Sequence, residues 1–442
     1  MKIVEMRVTP VAIADPPLFS SYGLHAPYAL RTIIELVSED GITGIGETYG
    51  GERVLVHLKQ AEEAIVGRSA YDLARLATAL DDLYANASVQ DSTEIAAGIA
   101  ASQTFILPSE DSEDVGVRMY GAIEVAALDL IGKATGVPVC ELLGGRVRDE
   151  VPFSAYLFYK LAGGGGASAD AREDEWGEVM DADAVVREAR LMMAAYGFGS
   201  IKLKGGVLDP DVEIDSILAL RAALGADVPL RIDPNGAWGI ETSIRVGTAL
   251  AGALEYLEDP APGAAKMGEV RRRLLAAGIE TPLASNNAMT SWADIPPALA
   301  TGSAQVILAD HHYWGGLRAV THLGRLCETL GIGLSMHSNS HLGVSLLAMT
   351  HLAAATPHLT FASDTHYPWQ QQRDEVLAGG RVQIRNGVVA VPTGPGLGGE
   401  LDQDALARGQ ERYQGCGYCR RDDQLEMQRH VDASWVRLAP RW

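Results

Sequence analysis

Residues 200–206 read SIKLKGG and residues 230–238 read LRIDPNGAW. Each is a short apolar run that ends on a charged side chain and breaks at Gly or Pro, the text of a buried strand running into a loop. The pattern recurs. It begins at Val151 to Tyr159 and returns at Leu254 to Glu258, Pro282 to Asn286, Gln305 to Asp310, Gly333 to Ser338 and Leu359 to Asp364. Polar residues stand at or near the strand ends: Lys204, Asp233, Glu258, Asn286, Asp310, His337 and Asp364, at intervals of 24 to 29 residues. Eight strand-helix units of that length are what a (β/α)8 barrel needs, and in that fold function sits on the loops that follow the strands.

Upstream, Met1 to Ile13 and Arg31 to Ser38 alternate as strands do, and Asp40-Gly41 turns the chain into Ile42 to Thr48. Helical spacing takes over from Val54 to about Tyr84 and again from Val117 to Thr135, where Ile123, Ala127, Leu130, Ile131 and Ala134 share one face. Residues 1–148 therefore read as an α+β capping unit and 149–380 as the barrel. Residues 381–442 read as a tail that returns to the cap, starting with a hairpin over Val382 to Val391 that turns at Asn386-Gly387. Gly163 to Gly166, with the acidic run Asp170 to Glu178, reads as a mobile loop after the first barrel strand.

The composition excludes several classes of function. Of 442 residues 47% are hydrophobic, enough for a sizeable core, and 36 Lys and Arg against 57 Asp and Glu give a net charge of −21. Such a chain repels phosphate backbones and anionic membranes, so neither nucleic acid nor membrane is an expected partner. An anionic substrate would need a local basic pocket. Four cysteines do not make a disulfide framework. Met1 to Arg7 contains no apolar signal core, and Ser338 to Ser363, although free of Asp, Glu, Lys and Arg, holds three His and a Pro. That stretch reads as a buried helix running into a buried strand, and a cytoplasmic protein is the expectation. GPGLGG at 394–399 and the glycines of 41–46 lack the strand-to-helix setting of a dinucleotide loop. Cys416-Gly417-Tyr418-Cys419 is a single CxxC without a partner pair. His311 and His312 read as loop hydrogen-bonders.

The strand ends carry the chemistry. Lys202 and Lys204 are two apart, so both point into the barrel, where each ammonium is expected to depress the other's pKa and leave a base near neutrality. Asp233, Glu258 and Asn286 end three consecutive strands, and hard oxygen donors that leave room for water suit Mg²⁺. Asp310 beside His337 makes a general acid/base pair. A divalent ion and a spare lysine can stabilise the enediolate formed when a base removes the proton α to a carboxylate, and a hydroxyl on the β carbon then leaves as water.

These residues resemble the enolase superfamily (mandelate racemase/muconate lactonizing enzyme-like), and more closely its glucarate dehydratase group. The likeness runs through GITGIGETYGG from Gly41, AIEVAALDLIGKATGVPVCELLGG from Ala122, IKLKGG from Ile201, RIDPNGAW from Arg231 and EYLEDP from Glu255. It continues with LADHHYW from Leu308, HSNSH from His337, SDTHYPWQ from Ser363 and RRDD from Arg420. The resemblance implies a modified (β/α)7β TIM barrel under a cap, a cytoplasmic homo-oligomer of carbohydrate acid catabolism, and a sugar diacid as the small-molecule partner. It implies Mg²⁺ held by Asp233, Glu258 and Asn286, Lys204 as the base next to the carboxylate, and Lys202 as the partner that contacts the carboxylate and lowers that base's pKa. His337 with Asp310 would be the second base and the acid for the departing hydroxyl. His25, Thr104, Tyr156, Asn235, Ser338, Asn339, His366 and Arg421 match positions that hold the substrate.

The activity implied is that of a carbon-oxygen lyase (hydro-lyase) converting D-glucarate, and its epimer L-idarate, to 5-dehydro-4-deoxy-D-glucarate. The alternatives are a dehydratase or epimerase of another acid sugar such as galactarate, a Schiff-base aldolase using Lys204, and a catalytically impaired paralogue. The family's DPCGAE text is DPAPGAAK here, with Ala264 and Ala265 where a metal-binding Glu would fall; Ser20 replaces a frequent Asn, and Asn287 competes with Asn286 for the fifth-strand position.

Overall fold

A computed structural model describes residues 1–25, 27–87 and 115–442. The N-terminal strands β1 (Ile3–Ala14), β4 (Tyr28–Ser38) and β5 (Thr43–Tyr49) form an antiparallel sheet in the order β1-β4-β5, and a small ribbon of β2 (Phe19–Ser20) with β3 (Gly23–Leu24) lies between β1 and β4 in the chain. The helical stretch expected from Val54 to Tyr84 is two helices, Glu52–Ile65 and Leu73–Ala87. It breaks at Gly67, whose φ of 93° no helix accepts. The Val115–Thr135 helix is buried from Arg118 to Gly132, far beyond a single face. It packs on β5, where a Cβ on Gly44 would land on the Ala126 carbonyl and one on Gly46 would come within 2.9 Å of the Ala122 carbonyl. The glycines of GITGIGE are there for that close approach.

All eight barrel strands form: β6 (Glu150–Phe158), β7 (Ile201–Lys204), β8 (Leu230–Asp233), β9 (Tyr256–Glu258), β10 (Leu283–Ser285), β11 (Val306–Ala309), β12 (Gly333–Met336) and β13 (Ser363–Asp364). They are parallel, in the order β12-β11-β10-β9-β8-β7-β6-β13. The ring is nearly closed between β12 and β13, where Thr360 and Phe361 N–H donate to the Leu334 carbonyl at 3.0 and 3.2 Å. Asn386-Gly387 makes the expected tight turn, closed by an antiparallel bridge between Arg385 and Val388, and the following strand β14 (Val388–Ala390) goes on to pair antiparallel with β6. The tail helix Gln403–Gly415 then packs on β1.

The segment after β6 is tied down, contrary to its mobile reading. Asp174 accepts from Lys160 Nζ at 3.0 Å and from the backbone of Gly163, Trp176 and Gly177, while buried Arg172 bridges Asp170 and Asp374 at 2.7 Å each. Its acidic run finds cations on neighbouring elements, which composition alone cannot show. No helix among the described residues is long and apolar enough to cross a membrane; the charge-free stretch is the buried Gly343–Ala355 helix leading to β13.

Candidate active site

The alternation of strand side chains sends Lys202, Lys204, Arg231, Asp233 and Asp364 into the barrel, where they stack as alternating charges. At the bottom, Arg231 donates to Glu255 at 2.6 Å and lies 3.8 Å from Asp364. Above it Lys202 Nζ sits 2.6 Å from Asp364, 2.7 Å from Glu258 and 3.6 Å from Asp233. Lys204 Nζ is 2.6 Å from Asp233. All are buried. Burial opposes the ammonium at Lys202, but Asp364 and then Glu258 outweigh it and hold its pKa well above the ordinary lysine value. Burial also opposes the charge on Lys204, and Asp233 overcomes it, so that pKa too is raised. This corrects the mutual depression expected from spacing. Lys202 does push Lys204 downward, but the facing carboxylates decide the sign.

Asp233, Glu258 and Asp259 bring carboxylate oxygens within 4.8 Å of one another. Burial, then the neighbouring Asp233, pushes Glu258 well above the usual carboxylate range and Asp259 up to about 6. Asn286 Oδ1 faces Glu258 Oε1 and Asp259 Oδ2, each at 3.0 Å, acceptors facing an acceptor. Either a cation sits among them, or the amide turns over to donate to both carboxylates and accept from His337 Nε2 at 3.2 Å. Crowded, dry, hard oxygen donors of this kind fit a divalent cation such as Mg²⁺.

Asp259 has a second task. It accepts from Ser285 Oγ at 2.6 Å and from the backbone N–H of Asn286 and Asn287, fastening the loop after β10 while itself held at φ 36°. Between the two adjacent asparagines the geometry discriminates: Asn286 faces the carboxylates, whereas Asn287 donates to Asn235 Oδ1 at 2.9 Å. Ala264 and Ala265 lie in the Gly263–Ala276 helix and offer no oxygen, leaving Glu258 as the inward acid of β9.

Across the mouth, His337 Nδ1 is 3.0 Å from Asp310 Oδ2, an oxygen that also accepts from Tyr49 O–H at 2.8 Å. An Nδ1–H donated to Asp310 points Nε2 toward Asn286 and the carboxylates. Burial disfavours the Asp310 carboxylate, yet the flanking imidazoles, His312 first, hold its pKa well below the ordinary value.

The structure gathers the expected substrate positions around these groups. The Tyr156 ring lies 4.8 Å from Lys202 Nζ and 5.7 Å from Lys204 Nζ, and is edge-on to His366 at 4.6 Å. Ser338 Oγ and His366 Nδ1 are 3.1 Å apart. Burial, then His25 and His341, lowers the pKa of His366 well below that of free imidazole. Arg421 makes a two-pronged pair with Asp423 at 2.5 and 2.7 Å and donates to Asn339 Oδ1 at 3.2 Å. His25 sits 3.6 Å from Asp15 and 3.7 Å from Asp423. Ser20 is buried and accepts from the Tyr22 N–H at 3.2 Å. The amide nitrogens of Asn235 and Asn339 are buried without a partner, two donors ready for ligand oxygens. Thr104 lies outside the described residues.

Sequence reasoning saw Asp364 only as a strand end and gave it no task, and it missed Tyr49 and Asp259. The strand phase that selected Lys204 and Asp233 could have selected Asp364. Nothing local marks Tyr49, which comes from another part of the chain.

Comparison with known proteins agrees with this fold. Residues 184–405 match the family described as "Enolase C-terminal domain-like". The chain is 44% identical to a probable glucarate dehydratase of Streptomyces coelicolor over 444 aligned positions, covering 100% of this chain and 99% of that protein. An enolase of Mycobacterium smegmatis complexed with tartrate superposes with a TM-score of 0.88 at 47% identity, covering 100% of this chain and 98% of the other. One from Pseudomonas fluorescens with bound magnesium, potassium and tartrate gives 0.90 at 44% identity, with 100% and 99% covered.

Proposed function

The chain belongs to the enolase superfamily, within its glucarate dehydratase group, and from that membership we propose that it is a Mg²⁺-dependent dehydratase of D-glucarate and its epimer L-idarate, giving 5-dehydro-4-deoxy-D-glucarate. One observation carries the reading: two unlike proton-transfer groups, Lys204 and the His337–Asp310 pair, flank a cluster of carboxylates suited to a cation.

Asp233, Glu258 and Asn286 would hold the cation, which when bound supplies charge neutralisation at the substrate carboxylate. A cation held there would offset the negative charge of Asp233 that, after burial, raises Glu258 and Asp259. Asp233, the carboxylate that pins Lys204, belongs to this ligand set and would hold the ammonium less strongly when shared with the cation, which would let Lys204 serve as a base. Lys204 removes the proton next to the carboxylate, and the Lys202 ammonium balances the negative charge that develops there. His337, oriented by Asp310, passes its proton to the β-hydroxyl as that group leaves; with the opposite epimer it takes the α proton and then gives a proton to the departing hydroxyl. Arg421, His25 and the free amides of Asn235 and Asn339 face the remainder of a polyhydroxy dianion.

A hexarate panel with detection of the keto product tests the proposal. D-Glucarate should turn over, and EDTA should stop the reaction until Mg²⁺ is returned. Lys204→Ala and His337→Asn should each lower kcat by at least about a hundredfold while the proteins stay folded. Silence on glucarate with turnover of another hexarate would reject the substrate, and activity unaffected by EDTA would reject the metal.

A further inference from the structure

His312 follows the Asp310 strand end and lies beyond the proton-transfer pair. Its Nδ1 is 2.7 Å from Asp310 Oδ1 and its Nε2 is 3.1 Å from the Glu47 carbonyl oxygen. A carboxylate and a carbonyl are both acceptors, so a neutral ring, which has one N–H, would leave one of these contacts between two acceptors. Satisfying both requires a proton on each nitrogen. The geometry points to His312 as a buried imidazolium with a proton on each nitrogen, a positioning residue that compensates the charge of Asp310 and holds it in place for His337. The inference deepens the proposed reaction and rests on the assignment of His337 to it.

The surroundings agree. Asp310 is saturated: Oδ1 takes the backbone N–H and ring of His312, and Oδ2 takes Tyr49 O–H and His337 Nδ1. With both ring nitrogens engaged, His312 has no lone pair for a metal, although Asp310, His311 and His312 stand close enough to suggest one. His311, tilted by 35° with its ring centre 3.9 Å away, is held well below the usual imidazole pKa by burial and then by the charge on His312, which places the positive charge on one ring of the two. The groups facing the turn are Arg31, Glu47 and Tyr49 of the N-terminal sheet, Arg118 and Glu124 of the Val115–Thr135 helix, its own Tyr313, and His337 and His341 from the loop after β12. Of these, Arg31 is paired with Glu47 at 2.7 Å and Arg118 lies over the Tyr313 ring at 5.0 Å, whereas His312 touches Asp310 directly at 2.7 Å.

The consequence is functional. An Asp310 held through Oδ1 by His312 keeps Oδ2 aimed at His337 Nδ1, which fixes the tautomer and turns Nε2 to the mouth of the barrel.

Nitrogen NMR of the full-length protein labelled with ¹⁵N-histidine tests the charge state, with the His312 signals identified by their loss in His312→Gln. Both ring nitrogens should carry protons from about pH 6 to 8, on either side of the ordinary imidazole value. A neutral His312 ring in that range overturns the inference, whether or not any hexarate is a substrate. In the activity arm, His312→Gln should lower kcat for the epimer whose proton His337 removes by about 10- to 100-fold, the range for loss of a partner that orients a functional histidine. KM should change little, and solvent exchange of the proton taken by Lys204 should keep its rate. Equal losses in both exchange reactions would mean that His312 only supports the fold, and would overturn the positioning role.

Discussion

Asp364 shows how one side chain sets the character of the site. It lies at the bottom of the column with one oxygen 2.6 Å from Lys202 and the other 3.8 Å from Arg231, all three fully buried. Removing one partner of such a set leaves an uncompensated charge in a dry interior, which typically costs about 3–5 kcal/mol. Asp364→Ala should therefore lower the unfolding free energy by about 3 kcal/mol in urea titrations, less whatever Glu258 recovers by its own contact with Lys202. A change within about 0.5 kcal/mol would show that Asp364 is not what keeps Lys202 in place. Asp310 is organised by the same logic at the other side of the mouth, by donors from three separate segments.

Among elements, the Val115–Thr135 helix joins the sheet of the cap to the turn after β11 in the barrel. The helix lies on Gly44 and Gly46 at one side, and at Gly121 a Cβ would come 2.8 Å from the His311 carbonyl of the turn after β11. Gly44→Ala should destabilise the protein by about 1–3 kcal/mol, as overpacking does, visible as a lower urea midpoint with an unchanged slope. Glu47 fastens the same sheet to the Gly343–Ala355 helix, accepting the Leu342 and Ser345 N–H groups while paired with Arg31. The buried Glu124 of the Val115–Thr135 helix adds a pH signature, since burial pushes its pKa from 4.5 up to about 7. Between those values the folded protein keeps a proton that the unfolded chain has lost, so this group's contribution falls as pH rises through the window. Glu124→Gln should flatten the decline of unfolding free energy with pH over that range, and an unaltered slope would contradict the assignment.

At the scale of the molecule, a net charge of −21 surrounds a site lined with Lys202, Lys204 and Arg421. The distant charge repels a dianion while the local cations hold it. Raising ionic strength toward 0.15 M, where the screening length is about 8 Å, should therefore increase kcat/KM for a hexarate before it weakens the contacts themselves. A monotonic fall from the lowest salt would mean that the pocket's own field governs encounter.

The sequence by itself determined the eight strands and the phase of their polar ends, because the alternation of side chains and the spacing of strand-helix units are local properties. It thereby selected Lys202, Lys204, Asp233, Glu258, Asn286, Asp310 and His337, which the structure gathers at one end of the barrel. Only the tertiary structure decided which charges face one another. Lys202 meets Asp364 because the eighth strand returns beside the first, and Asp310 meets Tyr49 because the cap lies on the turn after β11. Such pairs are separated by 162 and 261 positions in the chain. A pKa depends on the sum over all charges within a few ångströms, so spacing along one strand predicted the wrong sign for the lysines and closure of the barrel supplied the right one.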